Sequence, residues 1–310
     1  MSFALRFRSD AKTQSVPDAS GVRIALSDFF GADVETVMNN RLDSLIEKLS
    51  SPAVFPMRAS EAQQLALMRT QTLHCGSHRS RILISGNPGY GAKKALLLHG
   101  WGGHPLMLAQ AKDILQAQGY EVYLPFLLGH DPQTPAPADL PVQTQLLLTL
   151  QTTFGTFDTV VAHSAGGLIT ALSASLGFRF RKLVLMSVPA SFTSLLRHFL
   201  RQNRLPVQYL APLCAEYRSR FPAAGMPETD ALFGLGEIPA LIVHGQQDNK
   251  INHADARKIH HQLPNSRLEL IEDTGHLGVL THVRTHHALA SFLRAAGAGD
   301  EKRSHHVGSY

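Results

Sequence analysis

Short strand-like runs, most of them uniformly apolar, recur along the chain and alternate with segments whose apolar positions fall three and four residues apart. The runs are RILIS (81–85), ALLLH (95–99), YEVYLP (120–125), TVVAH (159–163), KLVLMS (182–187), ALIVH (240–244) and RLELIE (267–272). Runs that do not alternate polar with apolar predict strands covered on both faces. The helical spacing lies between them, at 106–118, 143–154, 165–176, 253–262 and 282–295. NPGYG (87–91) reads as a turn and 132–141 as a proline-rich loop. The alternation predicts an α/β fold with a mostly parallel central sheet and helices on both faces. Ligands in such sheets sit outside the carboxyl ends of the strands.

Two segments break the rhythm. Residues 1–30 are irregular, Asp33 is the expected cap of a helix through Ser50, and Ser60 with Gln63 forms a capping-box pattern opening a second helix through about Thr70. Further on, 188–237 carries two helical patterns near 191–203 and 206–219, expected as a short helical cap. The expected organisation is a helical N-terminal extension (1–78), a core of 79–187 and 238–296, the cap between its halves, and a disordered tail (297–310).

Composition narrows the setting. The 310 residues are 44% hydrophobic, enough for a sizeable core. The two cysteines, Cys75 and Cys214, make neither a disulfide framework nor a metal spacing, so a reducing cytoplasm is expected. No run has the length of a membrane span, and the N-terminus has no signal-peptide pattern. The net charge of +5 comes without a Lys/Arg run, so nucleic acid is not an expected partner.

Chemistry-bearing residues follow four of the strands. ALLLH runs into GWGGHP, TVVAH into Ser164, ALIVH into GQQD with Asp248, and RLELIE into DTGH with His276. A serine at a strand-to-helix elbow needs small neighbours, here Ala162, Gly166 and Gly167. The helix N-terminus adds partial positive charge and free N–H groups. A serine hydroxyl is a weak nucleophile until a base takes its proton, and His276, between Gly275 and Gly278, is the candidate base. Asp248 is the expected partner that fixes the imidazole tautomer. Asp273 is its rival, disfavoured because it lies three positions from His276 in the same tight loop. In HGWGG (99–103) glycines free the backbone, and the Trp101 and Ala165 amides are the expected oxyanion donors. Taken alone, Ser164 also reads as a helix cap and HGWGG as a simple turn. A phosphate loop is disfavoured because the Walker lysine pattern is missing.

His104 and His163 are expected at the pocket, and Leu195, Leu196, Phe199, Leu200 and Leu205 suggest an apolar acyl site in the cap. The basic residues between Arg179 and Arg220, Arg197 and Arg201 among them, suit either steering of an anionic thioester or a solvated lid face, and the lid face is favoured. His282 and His286 lack a completing ligand, so no metal is expected, and no cofactor either.

The motifs HGWGG, AHSAGG, HGQQDNKI and DTGHLGVL, in this order, resemble the α/β-hydrolase superfamily over about 80–187 and 238–296. The chain is similar to bacterial esterase-like hydrolases with a helical N-terminal extension. The resemblance implies Ser164 as nucleophile, Asp248 as acid, His276 as base, and Trp101 and Ala165 as oxyanion donors. Two departures stand out. Ala162 replaces the commoner glycine, and FLLGHDPQTP lacks the usual acidic residue before its Gly-His. A serine nucleophile argues against the epoxide-hydrolase and haloalkane-dehalogenase branches. The implied activity is cleavage of small-molecule acyl esters, with thioester or carbon–carbon bond hydrolysis on the same residues as the alternative. A non-catalytic binding protein is disfavoured by the complete residue set.

Overall fold

The computed structural model describes residues 15–17, 23–25, 31–86, 92–220 and 232–304. The expected turn at 87–91 and residues 221–231 of the cap lie outside the described residues. The chain divides into two compact units, Met1–Glu47 and Lys48–Tyr310. The first holds an antiparallel pair, β1 (Ser15–Pro17) and β2 (Arg23–Ala25), and most of α1 (Gly31–Ser50). α1 starts two residues before Asp33, the expected cap.

The second unit opens with α2 (Ala59–Leu67). Its start lies one residue before the expected cap, Ser60, because the Glu61 carboxylate accepts the Arg58 N–H at 2.7 Å. A capping box needs an acceptor reaching back to the orphan amide, and glutamate at that spacing supplies it. The chain then enters the sheet early. β3 (Arg69–Cys75) pairs antiparallel with β4 (His78–Ser85), so 69–78, assigned above to the extension, is sheet. RTQTLHC gives little apolar signal because most of this edge strand is exposed.

The remaining elements follow the expected alternation: β5 (Lys93–Leu98), α3 (Ala109–Gln116), β6 (Tyr120–Pro125), α4 (Leu140–Phe154), β7 (Phe157–His163), α5 (Ala165–Ser175), β8 (Phe180–Met186), the cap helices α6 (Phe192–Gln202) and α7 (Leu210–Arg220), β9 (Ala240–Gly245), α8 (Ala254–Gln262), β10 (Ser266–Ile271) and α9 (Val283–Ser304). α9 continues through Ser304 where a disordered tail is expected from 297; Ala and the charged run DEKR are compatible with helix. Residues 305–310 lie outside the described residues.

The eight strands run in the order β10-β9-β8-β7-β5-β6-β4-β3, with β4 antiparallel to both its neighbours and the other pairings parallel. Side chains alternate between two cores. Leu96 and Leu98 join Leu150, Ile169 and Ile259 of α4, α5 and α8, while Ala95 and Leu97 join Leu115 and Leu289 of α3 and α9. The sheet is therefore covered on both faces, as the unbroken apolar runs require. From β5 the chain crosses to β6 on one side, then returns to β7 on the other. The loops leaving β5 and β7 part there, at the crevice where doubly wound sheets hold ligands. Among the described residues no helix is long and apolar enough to cross a membrane.

Candidate active site

Ser164 stands at that crevice. Strand β7 delivers it, and α5 begins at the next residue. Its backbone has φ 52° and ψ −126°, a left-handed conformation that a side chain rarely adopts. The surroundings hold it there. Ser164 N–H donates to the Met186 carbonyl at 3.0 Å, and its own carbonyl accepts from Gly167 N–H at 3.0 Å. The small residues are needed for close approach. A Cβ on Gly166 would lie 2.8 Å from the Leu98 and His99 carbonyl oxygens, and one on Gly100 would lie 2.9 Å from Ser164 Cβ. Gly166→Ala is expected to push α5 off β5 and to lower stability by about 1–3 kcal/mol, read as a reduced denaturation midpoint.

His276 reaches Ser164 from the loop after β10. Its Nε2 lies 3.0 Å from Ser164 Oγ, and its Nδ1 lies 2.8 Å from Asp248 Oδ2. Asp248 follows β9 and is fixed at both oxygens. Oδ1 accepts the Lys250 and Ile251 amides at 2.8 and 2.9 Å, and His244 Nε2 approaches Oδ2 at 3.3 Å. Burial disfavours the Asp248 charge, but hydrogen bonds from His244 and His276, the His276 charge and the Ile251 amide outweigh it. They hold the carboxyl well below the usual carboxylate range. With the carboxylate accepting at Nδ1, the imidazole presents its Nε2 lone pair to the serine hydroxyl. The rival Asp273 is exposed and lies 3.2 Å from His282.

The loop after β5 carries Trp101 and is laced to the loop after β6 by two buried imidazoles. His99 Nε2 accepts the Leu127 amide at 3.1 Å, and its Nδ1–H donates to the Gly100 carbonyl at 2.8 Å. His130 Nε2 accepts the Gly102 amide at 3.0 Å, its Nδ1–H donates to Leu128 at 3.0 Å, and its ring meets the Trp101 indole edge-on at 4.8 Å. Arg81 grips Asp131 with two bonds of 3.0 and 2.9 Å. That acid, just after the Gly-His of FLLGHD, anchors a loop in which an acid before the Gly-His is missing. Gly102 and Gly103 N–H groups are committed to His130 and Gly100. Among the described hydrogen bonds, the Trp101 and Ala165 amides donate to nothing, and Ala165 opens its helix, where amides have no partner in the helix itself.

Burial lowers the His99 pKa well below 6.5, takes His130 down to about 4 and, with His276 nearby, takes His163 down to about 3. An unfolded imidazole takes its proton near 6.5. Between that value and the folded pKa the unfolded chain binds more protons, so the contribution of these rings to stability is complete above about 6.5 and falls as the pH drops toward 4 and 3. Unfolding at pH 5 is expected to take up about two protons or more, measured as the slope of unfolding free energy against pH. A flat slope there is incompatible with buried neutral rings.

Ser164 and His276 open on a cleft of about 400 Å³. Trp101, Leu140, Phe192, Leu195, Phe199 and Tyr217 give it apolar walls, and Lys48 and Lys250 also line it. Several expected pocket residues lie elsewhere. On α6 the positions 192, 195 and 199 face the cleft, so Leu196 and Leu200 turn inward and are fully buried. Leu205, just past that helix, is not on the wall. His104 is buried 3.7 Å from Glu61 rather than on the wall. His163 is buried beneath the site, its Nε2–H donating to the His276 carbonyl at 3.0 Å. Arg197 and Arg201 do not line the cleft; Arg201 donates to the Lys250 carbonyl at 2.9 Å. Sequence reasoning missed both lysines, although Lys250 stands two residues past Asp248 in DNKI. Among the described residues no group of three His, Cys, Asp or Glu side chains is placed to hold a metal.

Solved structures share this fold at low identity. A bacterial membrane phospholipase A, described as a virulence factor, aligns with a TM-score of 0.59 at 18% identity, over 87% of this chain and 96% of its own. A candidate lipase from Acinetobacter baumannii AYE aligns with a TM-score of 0.57 at 19% identity, over 80% of this chain and 99% of its own. The 2-hydroxy-6-oxo-6-phenylhexa-2,4-dienoate hydrolase from Rhodococcus sp. strain RHA1 aligns with a TM-score of 0.55 at 19% identity, over 73% and 99%. No curated protein matches the sequence. The family model described as the alpha/beta hydrolase family matches residues 95–291, well over half of the sequence, and the chain belongs to that family.

Proposed function

We propose that this protein is a serine hydrolase that cleaves carboxylic esters through an acyl-enzyme, working from a core that begins at Arg69 and is interrupted by the cap. The observation that carries this reading is the line from Ser164 Oγ to His276 Nε2 (3.0 Å) and from His276 Nδ1 to Asp248 Oδ2 (2.8 Å) at the floor of the cleft. Ser164 Oγ attacks the ester carbonyl carbon while its proton passes to His276 Nε2. The carbonyl π pair moves to oxygen, and the Trp101 and Ala165 amides stabilise that oxyanion. Collapse breaks the carbon–oxygen bond, and the leaving alkoxide takes the proton from His276. Water then repeats the sequence on the acyl-serine and releases the acid. Asp248 holds the imidazole tautomer and stabilises the imidazolium.

A cleft of about 400 Å³ sits in the small-molecule range, so a single acyl chain suits it better than a polymer. The family and the lipase and phospholipase among the fold's neighbours are consistent with ester chemistry. The test is a series of p-nitrophenyl esters of increasing acyl length, with intact-mass detection of the acyl adduct. Turnover with an adduct on the Ser164 peptide supports the reading. No turnover on any chain length, with no adduct, removes it.

A further inference from the structure

Lys48 and Lys250 line the same cleft as Ser164 and His276, and among the described residues no carboxylate side chain lines it. Neither lysine has an ion-pair partner among the described residues. Lys48 Nζ donates to Asn203 Oδ1, at the C-cap of α6, and an ammonium has two further hydrogens to offer. Lys250 Nζ lies 5.6 Å from the centre of the Phe55 ring, a cation over an aromatic face. Its backbone is pinned on both sides, the N–H by Asp248 Oδ1 at 2.8 Å and the carbonyl by Arg201 at 2.9 Å. The side chain therefore springs from a fixed point two residues from the acid of the site. The cleft pairs apolar walls from Leu140, Phe192, Leu195 and Phe199 with two cations that no described carboxylate pairs.

We propose that Lys48 and Lys250 form a subsite selecting esters whose acyl chain ends in an anionic group, a carboxylate or a phosphate, with an apolar stretch between that group and the scissile bond. This rests on the ester-hydrolase reading and specifies its substrate class. The basic run of the cap, which invited a steering role, does not line the cleft: Arg197 is exposed, and Arg201 is spent on the Lys250 carbonyl. The charge that meets substrate comes instead from two lysines far apart in sequence.

The test is binding to the Ser164→Ala protein, so that it does not depend on turnover. Three esters of equal chain length, ending in carboxylate, phosphate or a methyl ester, are titrated calorimetrically at about 50 mM and about 500 mM salt. The anionic chains are expected to bind at least about tenfold tighter than the neutral one at low salt, and the advantage to shrink at high salt, where screening acts over a few ångströms. The stronger of the two anionic chains identifies the group. In Lys48→Met/Lys250→Met the ratio is expected to fall to about one, while Lys250→Arg alone keeps a preference. Equal affinity for all three chains, or a preference that survives the double methionine variant, overturns the subsite. Native enzyme that fails to hydrolyse any of the esters counts against the hydrolase reading instead.

Discussion

Ser164→Ala is expected to lose turnover by about four orders of magnitude or more and to abolish labelling by a fluorophosphonate probe. Among the described residues of the cleft the hydroxyl is the group aligned with the His276 Nε2, at 3.0 Å, and its bond to the acyl carbon is lost with it. The fold should persist, because Ser164 holds its place through backbone bonds to Met186 and Gly167. A second variant separates chemistry from structure. At φ 52° a glycine is relaxed where serine is strained, so Ser164→Gly should be as inactive as the alanine variant yet raise stability by about 1 kcal/mol. The two read-outs are initial rate and thermal midpoint. Labelling that survived in either variant would place the nucleophile elsewhere. A glycine variant less stable than wild type would mean that the elbow stores no strain.

Much of this architecture is legible in the chain because central parallel strands leave an unmistakable trace. Leu96, Leu97 and Leu98 are all at 0% exposure, so no polar residue is tolerated and the run is unbroken. The loops after such strands inherit positions on one rim, which is why Ser164, Asp248 and His276 stand out although their side chains meet across 28 and 112 residues of sequence. β3 is illegible for the opposite reason. As an edge strand it buries only Leu73 and Cys75, and its remaining residues read as loop. The cleft walls are legible only in part. A helix such as α6 shows that apolar residues are needed, but Leu195 and Leu196 are equally apolar and only geometry sends one to the cleft and the other to the core. Single cations such as Lys48 and Lys250 carry no pattern at all. The neutral histidine pair His99 and His130 is hidden for a similar reason, since what makes the rings structural is the amide each one accepts.

Asp248→Asn should leave the protein folded and cut turnover by about 10⁴-fold. In the native site both carboxylate oxygens accept, one from the Lys250 and Ile251 amides and the other from His276 Nδ1–H. The two amides require an oxygen on their side, so the asparagine carbonyl is held there and its NH₂ turns to His276. That donor forces the proton from Nδ1 to Nε2, and the ring then meets the Ser164 hydroxyl as a donor rather than a base. The same NH₂ also faces His244 Nε2, which approaches Oδ2 at 3.3 Å in the native site, so one hydrogen bond is lost as well. The acid cannot be mimicked by low pH in the working range. The Asp248 pKa is depressed, so its ionised contacts stabilise the fold fully above the ordinary carboxylate pKa, and that contribution is lost only as the pH falls below it. Asp273→Asn is the matched control. Its side chain is 77% exposed and paired with His282, so turnover should change less than about twofold. Steady-state rates of the two variants on one ester decide the assignment. A severe loss in Asp273→Asn with a mild one in Asp248→Asn would exchange the two residues' roles.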